Sequence, residues 1–590
     1  YISYIDGLVP PPVGLLPQKS KQPFRVQNTS GGPISVRVYY DDEYWYGISL
    51  ASGATATVNA PPPGFSQWVK LESVGGQNFR AYSDTAGQVV VSTSPYSWQV
   101  GPTVRATADV VSYREGKPAF GGTPADRSVV EAITELQARG KRVTFYPFVM
   151  MDIPETNTLP DPYSDEALTE GQPRYPWRGR ITCSPAAGFV GSVDKTATAA
   201  AQVAALFGSV TPAQFGVTGT TVNYTGPAGD WGYRRMTLHY AYLCAAVGGV
   251  NAFLIGSELR GITTIRDGAG NYPGVAALIT LAGEVKTILG PDVKVSYAAD
   301  WSEYFGHHPQ DGTGDVFFHL DPLWSNANID FIGIDNYMPV SDWRDGFDHL
   351  DATAWPSIYD RDYLRSNVEG GEGFDWFYAT LADRVDQIRT PITDGAGKPW
   401  VFRYKDLRAW WQNQHFNRPG GVEALTPTAW VPESKPFWFT EIGCPAVDRG
   451  TNQPNVFSDP KSSESLVPYF SRGYRDDAIQ RAYLESVLGY WSEAANNPTS
   501  AVYGEPMITT DESAVWTWDA RPYPFYPERT DVWSDGPNWA LGHWLTGRLG
   551  AVSLAALVRN HVAAERKRPQ PALSIVKQSQ GTDHGWRIRI

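Results

Sequence analysis

The segments WGYRRMTLHYAYLCAAVGG (231–249) and NAFLIGSEL (251–259) decide the fold class. The first has the pattern of an amphipathic helix. The second contains a short, almost purely apolar run, AFLIGS, which is followed by Glu258. A helix that leads directly into a buried strand is the repeating unit of a parallel β-α sheet. These two segments therefore predict an α/β fold with this strand in its interior.

The same alternation continues through residues 106–557. Strands 1 to 8 are predicted, in order, near 107–113, at 143–154, near 216–224, and at 251–259, 293–301, 329–339, 437–445 and 513–524. Helices are predicted at 126–139, 194–207, 231–249, 275–289, 373–389, 474–494 and 538–556. Eight β-α units with long inserts predict a (β/α)₈ TIM barrel.

The segments on either side of the barrel differ from it. Residues 1–20 are a Pro-rich lead-in, and residues 21–105 contain short strand-like runs separated by turn residues, which predicts a small β-sandwich domain. Residues 558–590 are interpreted as a basic, polar tail. The chain begins at Tyr1 rather than at Met, and we interpret it as processed or as part of a longer protein.

Composition and charge exclude several classes of function. The net charge of −13 and a pI of about 5.3 argue against binding to nucleic acid or to an anionic membrane surface. No apolar run is long enough to predict a membrane-spanning helix. Three cysteines without C-x-x-C spacing, and the lack of an H-E-x-x-H or P-loop motif, predict neither a metal site nor a cofactor. The many aromatic residues fit a large core and sugar-stacking platforms equally well.

Acidic residues end many of the predicted strands, where a barrel places its active site. They are Asp152, Glu258, Asp300, Asp335, Glu441 and Asp519. Glu258 and Glu441 each follow an apolar run, and a buried carboxylate is costly unless it is paired or used. Glycoside hydrolysis needs two facing carboxylates, one to protonate the leaving oxygen and one to attack or to activate water. The alternative is a pair of salt-bridged structural acids.

Several of these segments resemble the clan of retaining TIM-barrel glycosidases, which includes cellulases, β-mannanases and β-galactosidases. The resemblance lies in Glu258, Glu441, IDFIGIDNYMP (329–339) and AVWTWDA (514–520). It implies that Glu258 is the acid/base, which must be protonated, and that Glu441 is the ionised nucleophile. It also implies that Tyr337 hydrogen-bonds the nucleophile and that Trp518 forms the floor of the subsite in which the sugar reacts.

Ser257 departs from the pattern of this clan, which usually has Asn before the acid/base glutamate to bond the sugar 2-hydroxyl. Three explanations remain open. Ser257 takes over that contact, the substrate carries a different C2 substituent such as an acetamido group, or activity is weak or lost.

A more extensive resemblance covers about residues 106–557. AFGGTPADRSVVEAI, VTFYPFVMMDIP, YPWRGRITCSP, YRRMTLHYAYLCAAVGGVNAFLIGSELRG, KDLRAWWQNQHFNRPGG and FTEIGCPAVDRGTNQPNVFSDPKSSES resemble the TIM-barrel-like domain of gene transfer agent and tailed-phage baseplate proteins. That family is regarded as glycoside-hydrolase-like. The resemblance implies a tail-tip or baseplate component that digests envelope or capsular glycan locally. Residues 1–105 and those after Val558 do not share it.

The leading hypothesis is a retaining glycosidase that acts on a bacterial cell-envelope or surface polysaccharide, on a virion tail tip or outside the cell. We expect polysaccharide and other tail proteins as partners, with no cofactor, metal, nucleic acid or membrane insertion. The expected substrate-binding residues are Ser257, Asp300, Trp301, Asp335, Tyr337, Trp410, Trp411 and Trp518, although the Trp410–Trp411 pair also fits a packed insert. The alternatives are a non-catalytic baseplate module for glycan binding or assembly, and a free-standing glycosidase.

Overall fold

The structure is a computed structural model. It describes residues 15–17, 24–28, 33–40, 43–58, 68–73, 79–83, 89–93, 99–104, 107–114, 117–119, 123, 126–138, 140–147, 149–154, 156–165, 171–457 and 462–516. These residues fall into two compact units, one within residues 15–129 and one within residues 130–516.

The first unit is built of short antiparallel strands. They are β1 (Leu15–Pro17), β2 (Phe24–Asn28), β3 (Ile34–Tyr40), β4 (Glu43–Leu50), β5 (Thr55–Val58), β6 (Trp68–Ser73), β7 (Phe79–Ser83), β8 (Val89–Thr93), β9 (Gln99–Val100), β10 (Thr103–Val104), β11 (Ser112–Arg114) and β12 (Lys117–Ala119). One sheet has the order β1-β6-β3-β4 and another the order β5-β2-β7-β8. The strand-like runs of the sequence therefore form strands, while the independent sandwich domain stays a prediction.

The second unit alternates helices and strands, as the sequence indicates. In chain order its elements are α1 (Asp126–Ala138, which begins in the first unit), β13 (Thr144–Phe145), α2 (Ala197–Phe207), β14 (Phe215–Thr218), β15 (Thr221–Tyr224), α3 (Tyr233–Ala246), β16 (Ala252–Ser257), α4 (Arg260–Thr263), α5 (Pro273–Leu289), β17 (Lys294–Asp300), α6 (Asp321–Trp324), β18 (Ile332–Asn336), α7 (Leu350–Ala354), α8 (Arg361–Ser366), β19 (Trp376–Phe377), α9 (Leu381–Asp386), β20 (Thr390–Pro391), α10 (Leu407–Gln412), β21 (Phe437–Ile442) and α11 (Asp477–Ser492).

A parallel sheet forms the centre of this unit, with the strand order β13-β16-β17-β18-β21. Every residue of β16, β18 and β21 is buried, as expected for strands covered on both faces. Residues 514–516 extend the sheet beyond β21: the Ile442 amide donates to the Ala514 carbonyl (2.9 Å), and the Trp516 amide donates to the Ile442 carbonyl (3.0 Å). This parallel sheet with its helices is a TIM-like α/β fold.

Two predicted barrel strands are wrong. The predicted strand 3 is the antiparallel hairpin of β14 and β15, and β13 pairs directly with β16 instead. Gly219 makes the hairpin possible, because its φ of 61° suits a tight two-residue turn. The predicted strand 1 falls on β11, which pairs antiparallel with β12. The described strands therefore do not supply the expected eight parallel members.

Most predicted helices are confirmed, but the one at 373–389 is shorter than expected. Only α9 is helical there. Its N-cap Thr380 accepts a hydrogen bond from the Asp383 amide (3.0 Å), and the helix ends at Gln387 in the left-handed conformation. No helix among the described residues has the length and apolar character that crossing a bilayer requires. Residues 517–590, including the last predicted helix and the tail, lie outside the described residues, as do residues 1–14 of the lead-in.

Candidate active site

The carboxyl ends of the central strands bring together most of the predicted acids. Asp300 and Asp335 are register partners on β17 and β18, and Asp335 and Glu441 are register partners on β18 and β21. Glu258 comes directly after β16. Because parallel strands end at the same edge of a sheet, all four carboxyl groups belong to one end of the fold.

Three of these acids and one arginine form a buried group that we call the acid cluster: Glu258, Asp335, Glu441 and Arg178. One carboxylate oxygen of each acid lies within 4.8 Å of those of the other two. The exposed fractions are 6% for Glu258, 0% for Asp335, 4% for Glu441 and 3% for Arg178. The cluster therefore holds three acids and one cation away from bulk water.

Arg178 lies between the carboxylates, in the short 3₁₀ turn Arg178–Arg180. Its Nη2 atom is 3.0 Å from Glu258 Oε2, 3.7 Å from Glu441 Oε1 and 3.9 Å from Asp335 Oδ2. Its Nε also donates to the Ser257 carbonyl (3.1 Å). A guanidinium with this many partners is fixed in position and supplies the counter-charge that three buried acids require.

Tyr146, which follows β13, connects the acids. Its hydroxyl lies 2.9 Å from Asp335 Oδ2 and 2.8 Å from Glu441 Oε1, and it also bonds the Ser257 hydroxyl. Ser257 in turn donates to Asp335 Oδ2 (3.0 Å) and accepts from Arg178 Nη2 (2.5 Å). The Ser257 hydroxyl is therefore already hydrogen-bonded to three residues of the site.

Glu441 has a second phenol partner, as the resemblance to the glycosidase clan implies. The buried Tyr337 hydroxyl donates to Glu441 Oε2 (2.5 Å). Tyr146 contacts the other oxygen, so both oxygens of Glu441 accept from phenols. Two donors fix the orientation of this carboxylate and favour its ionised form.

Glu258 is held both by its backbone and by its side chain. Its φ of 47° is in the left-handed region, which a non-glycine residue adopts at a cost, and its amide donates to the Ala298 carbonyl (2.8 Å). The Trp177 indole donates to Glu258 Oε2 (2.5 Å), the same oxygen that Arg178 approaches. Backbone strain that neighbours maintain is a recurrent property of functional sites.

The close approach of the acids shifts their proton affinities. Burial, followed by the charge of Glu258, raises the pKa of Glu441 to about 7. With a pKa near neutrality the protonation state of Glu441 depends on pH, and an ionised Glu441 stays a prediction. Burial and the charges of Glu441 and Glu258 raise the pKa of Asp335 well above its usual value. A proton on Asp335 lets it donate to Ser257 or Tyr146, which leaves the Tyr146 proton for Glu441.

Asp300 lies beside this cluster without a direct bond to it. It accepts from the Ser302 amide (2.9 Å) and from the Ser302 hydroxyl. Burial and the charge of Glu258 raise its pKa to about 7. Asp300 is therefore coupled to Glu258 through charge.

The predicted aromatic platform is only partly supported. Trp301 is half-buried and packs edge-on against Tyr404, with ring centroids 4.7 Å apart. Trp410 and Trp411 are fully buried, and their indoles donate to the carbonyls of Phe305 (3.3 Å) and Lys435 (2.8 Å). They belong to the core of the insert, so the prediction that they bind substrate is wrong. Trp518 lies outside the described residues.

Three residues of the site were missed: Tyr146, Trp177 and Arg178. They lie in VTFYPFVMMDIP and YPWRGRITCSP, two segments that carry the family resemblance. Nothing in their spacing predicts that they meet Glu258, because Arg178 and Glu258 are 80 residues apart and Arg178 lies outside the strands of the central sheet. A cation was nevertheless to be expected, since three buried acids on adjacent strand ends require one.

Taken together, fold and site define a TIM-like α/β protein with a buried acid cluster at the carboxyl ends of its strands. The chain belongs to the GTA TIM-barrel-like domain family, whose match spans residues 231–527. GTA denotes a gene transfer agent, a phage-like particle. The resemblance to that family is therefore confirmed, and the chain is a phage-related protein. The match includes Glu258, Asp335 and Glu441. No curated protein matches the chain.

Proposed function

We propose that this protein is a retaining glycoside hydrolase that acts on a bacterial cell-envelope or surface polysaccharide. The observation that carries the proposal is the approach of Glu258 and Glu441 to within 4.8 Å, oxygen to oxygen, at the carboxyl ends of parallel strands. Retaining enzymes need about 5–5.5 Å between the two carboxyl groups, whereas inverting enzymes need about 6.5–9.5 Å. The short separation favours retention.

In this mechanism Glu441 attacks the anomeric carbon while Glu258 gives its proton to the departing glycosidic oxygen. The covalent glycosyl ester on Glu441 is then attacked by water, whose proton returns to Glu258 as the ester bond breaks. The hydrogen bonds from Tyr337 and Tyr146 support the assignment of Glu441 as nucleophile, because they orient its oxygens and favour the carboxylate.

The two glutamates also interact through charge. After burial, the charge of Glu258 is the next cause that raises the pKa of Glu441. Glycoside hydrolysis uses two carboxyl groups that lie close enough to interact in this way.

Ser257 helps to narrow the substrate. Its hydroxyl already contacts Arg178, Tyr146 and Asp335, so it does not offer the free amide that usually bonds a sugar 2-hydroxyl. We propose that the substrate carries a C2 substituent other than hydroxyl, such as an acetamido group. Membership of a gene transfer agent family supports a location on the tail tip or baseplate of a phage-like particle, where envelope glycan is the barrier to delivery.

Azide rescue of two alanine variants tests the mechanism, on envelope glycans and on aryl β-glycosides with good leaving groups. In Glu258→Ala the glycosyl ester still forms, so azide should restore turnover and give a β-glycosyl azide. In Glu441→Ala azide should give the opposite anomer. Exchanged products would reverse the two roles, and activity that is unchanged in both variants would rule the mechanism out.

A second candidate function is a non-catalytic module that keeps the barrel for glycan binding or assembly. The observation that favours it is Arg178, which pairs with Glu258 (3.0 Å) and lies among the glutamates where a sugar would have to enter. A glycan that binds with measurable affinity and is never cleaved, by the parent protein or with azide by the alanine variants, would select this candidate.

A further inference from the structure

Residues 175–182, which we call the plug, place the Arg178 side chain among the carboxylates that a sugar would have to reach. Arg178 Nη2 is within 3.9 Å of all three acids of the cluster, and Trp177 contacts Glu258. With the plug in place, the two glutamates are 6% and 4% exposed. A polysaccharide is too large to reach carboxylates that are buried to this extent.

Besides the contacts of Trp177 and Arg178 with the acid cluster, polar contacts at the solvent boundary hold the plug to the rest of the unit. Arg180 forms a two-pronged ion pair with Glu464, with Nη2 donating to Oε2 at 3.2 Å. The Ser463 amide and hydroxyl both donate to the Tyr175 carbonyl (3.1 and 3.2 Å). Arg180 and Glu464 keep side-chain exposures of 15% and 34%. Contacts of this kind at the solvent boundary break at a small cost in free energy.

A glycine lets the plug approach the neighbouring helix. A Cβ atom at Gly261 in α4 would lie 2.4 Å from the Ile181 carbonyl oxygen and 2.7 Å from that of Gly179. Both atoms belong to the backbone of the plug, so a side chain at position 261 has to displace it. The plug can therefore pack closely against α4 because residue 261 has no side chain.

We propose that the plug is an autoinhibitory segment that withdraws when glycan binds and takes Arg178 out of the acid cluster. Withdrawal of the plug gives glycan access to Glu258 and Glu441. It also removes the Arg178 guanidinium, so that the positively charged transition state of glycoside hydrolysis can form beside the carboxylates. This inference rests on the proposed function for its purpose, but the movement itself can be measured without any hydrolysis.

The test measures how fast a water-soluble carbodiimide with an amine labels Glu258 and Glu441 in the full chain, by mass spectrometry of peptides. The Arg180→Gln/Glu464→Gln double variant removes the ion pair and should raise labelling of both glutamates about fivefold, the factor that corresponds to a contact of about 1 kcal/mol. Gly261→Ala should raise it as well. Arg365→Gln, which breaks the comparable Arg365–Glu493 pair (2.5 Å) elsewhere, is the matched control and should leave labelling unchanged.

The possible outcomes separate the plug from the proposed function. Unchanged labelling in both folded variants would show that residues 175–182 are a fixed wall and would overturn the inference. Faster labelling in both variants, without glycan cleavage by any of them, would support the plug and count against hydrolysis. Faster labelling together with faster hydrolysis supports both proposals.

Discussion

Two charged groups in the unit that contains the central sheet differ in charge balance. The acid cluster sets three carboxyl groups against the single guanidinium of Arg178. The second group, which we call the insert cluster, consists of Asp342, Asp351, Arg344 and Arg389. There Arg389 Nη2 lies 2.9 Å from Asp342 and 2.8 Å from Asp351, and Arg344 Nη2 lies 3.3 Å from Asp342. Two acids thus meet two cations.

This difference distinguishes structural from functional charge. In the insert cluster each acid also accepts a hydrogen bond from a phenol, Tyr378 for Asp342 (2.6 Å) and Tyr363 for Asp351 (3.1 Å). Cations and donors within the cluster therefore compensate the charge of both acids. In the acid cluster one cation is too few, and the pKa values of Asp335 and Glu441 rise in consequence of burial and mutual repulsion. An arrangement of charges that lowers the stability of the folded state in this way is typical of a functional site.

The largest expected effect is on activity, from the acid cluster. Glu441→Gln should lower glycan hydrolysis by a factor of at least about 10³, as loss of a catalytic nucleophile does. Its free energy of unfolding should not fall, because the amide keeps acceptor and donor groups for Tyr337 and removes one of three competing charges. Hydrolysis rates and denaturant unfolding measure the two effects. A stability loss equal to the activity loss would make Glu441 a structural acid.

The next effect is on stability, from the insert cluster. Asp342→Asn should lower the free energy of unfolding by about 3–5 kcal/mol, since it leaves Arg389 and Arg344 short of their buried partner. Asp335→Asn is the same chemical change in the acid cluster and should be neutral or stabilising. If both substitutions cost the same, the proposed difference between the clusters does not exist.

A smaller effect concerns pH. Because the pKa of Glu441 is raised in the folded protein to about 7, the folded state holds a proton that the unfolded state releases near pH 4.5. Stability from this group is therefore greatest at low pH and declines as pH rises from about 4.5 to 7. The Tm of Glu441→Gln minus that of the parent should increase across this window. A difference that stays constant would show that Glu441 is not strained by its neighbours.

The smallest effect sets the scale for the others. Arg365→Gln breaks an ion pair with Glu493 whose side chains are 25% and 56% exposed, and should cost less than about 1 kcal/mol of unfolding free energy. Denaturant unfolding of this variant beside Asp342→Asn compares a surface pair with a buried one directly. A cost for Arg365→Gln as large as that for Asp342→Asn would mean that burial does not decide the value of these pairs.

The sequence predicts those parts of the molecule that depend on local pattern. Strands β16, β17, β18 and β21 are found where apolar runs end on acids, and Glu258, Asp335 and Glu441 meet because parallel strands end together. The predicted strand 3 fails because a run of β-formers interrupted by Gly219 fits a hairpin as well as a strand. Patterning alone does not tell which neighbour a strand will pair with.

The remaining part of the site depends on loops. Arg178 and Trp177 reach Glu258 from an irregular segment, and their approach is determined by contacts such as Arg180 with Glu464 and the space at Gly261. No periodicity encodes such a path. Trp410 shows the opposite error, because an aromatic pair near polar residues looks like a binding surface until burial places it inside the insert.

The left-handed backbone of Glu258 has a further consequence for protein engineering. Glycine would occupy φ 47° without a steric penalty, and asparagine with a smaller one than glutamate. A library randomised at this position and selected for heat resistance alone should therefore enrich glycine or asparagine at the expense of the natural residue. The same library selected for glycan cleavage should return glutamate. Different residues from the two selections would reveal a trade-off between stability and activity at position 258.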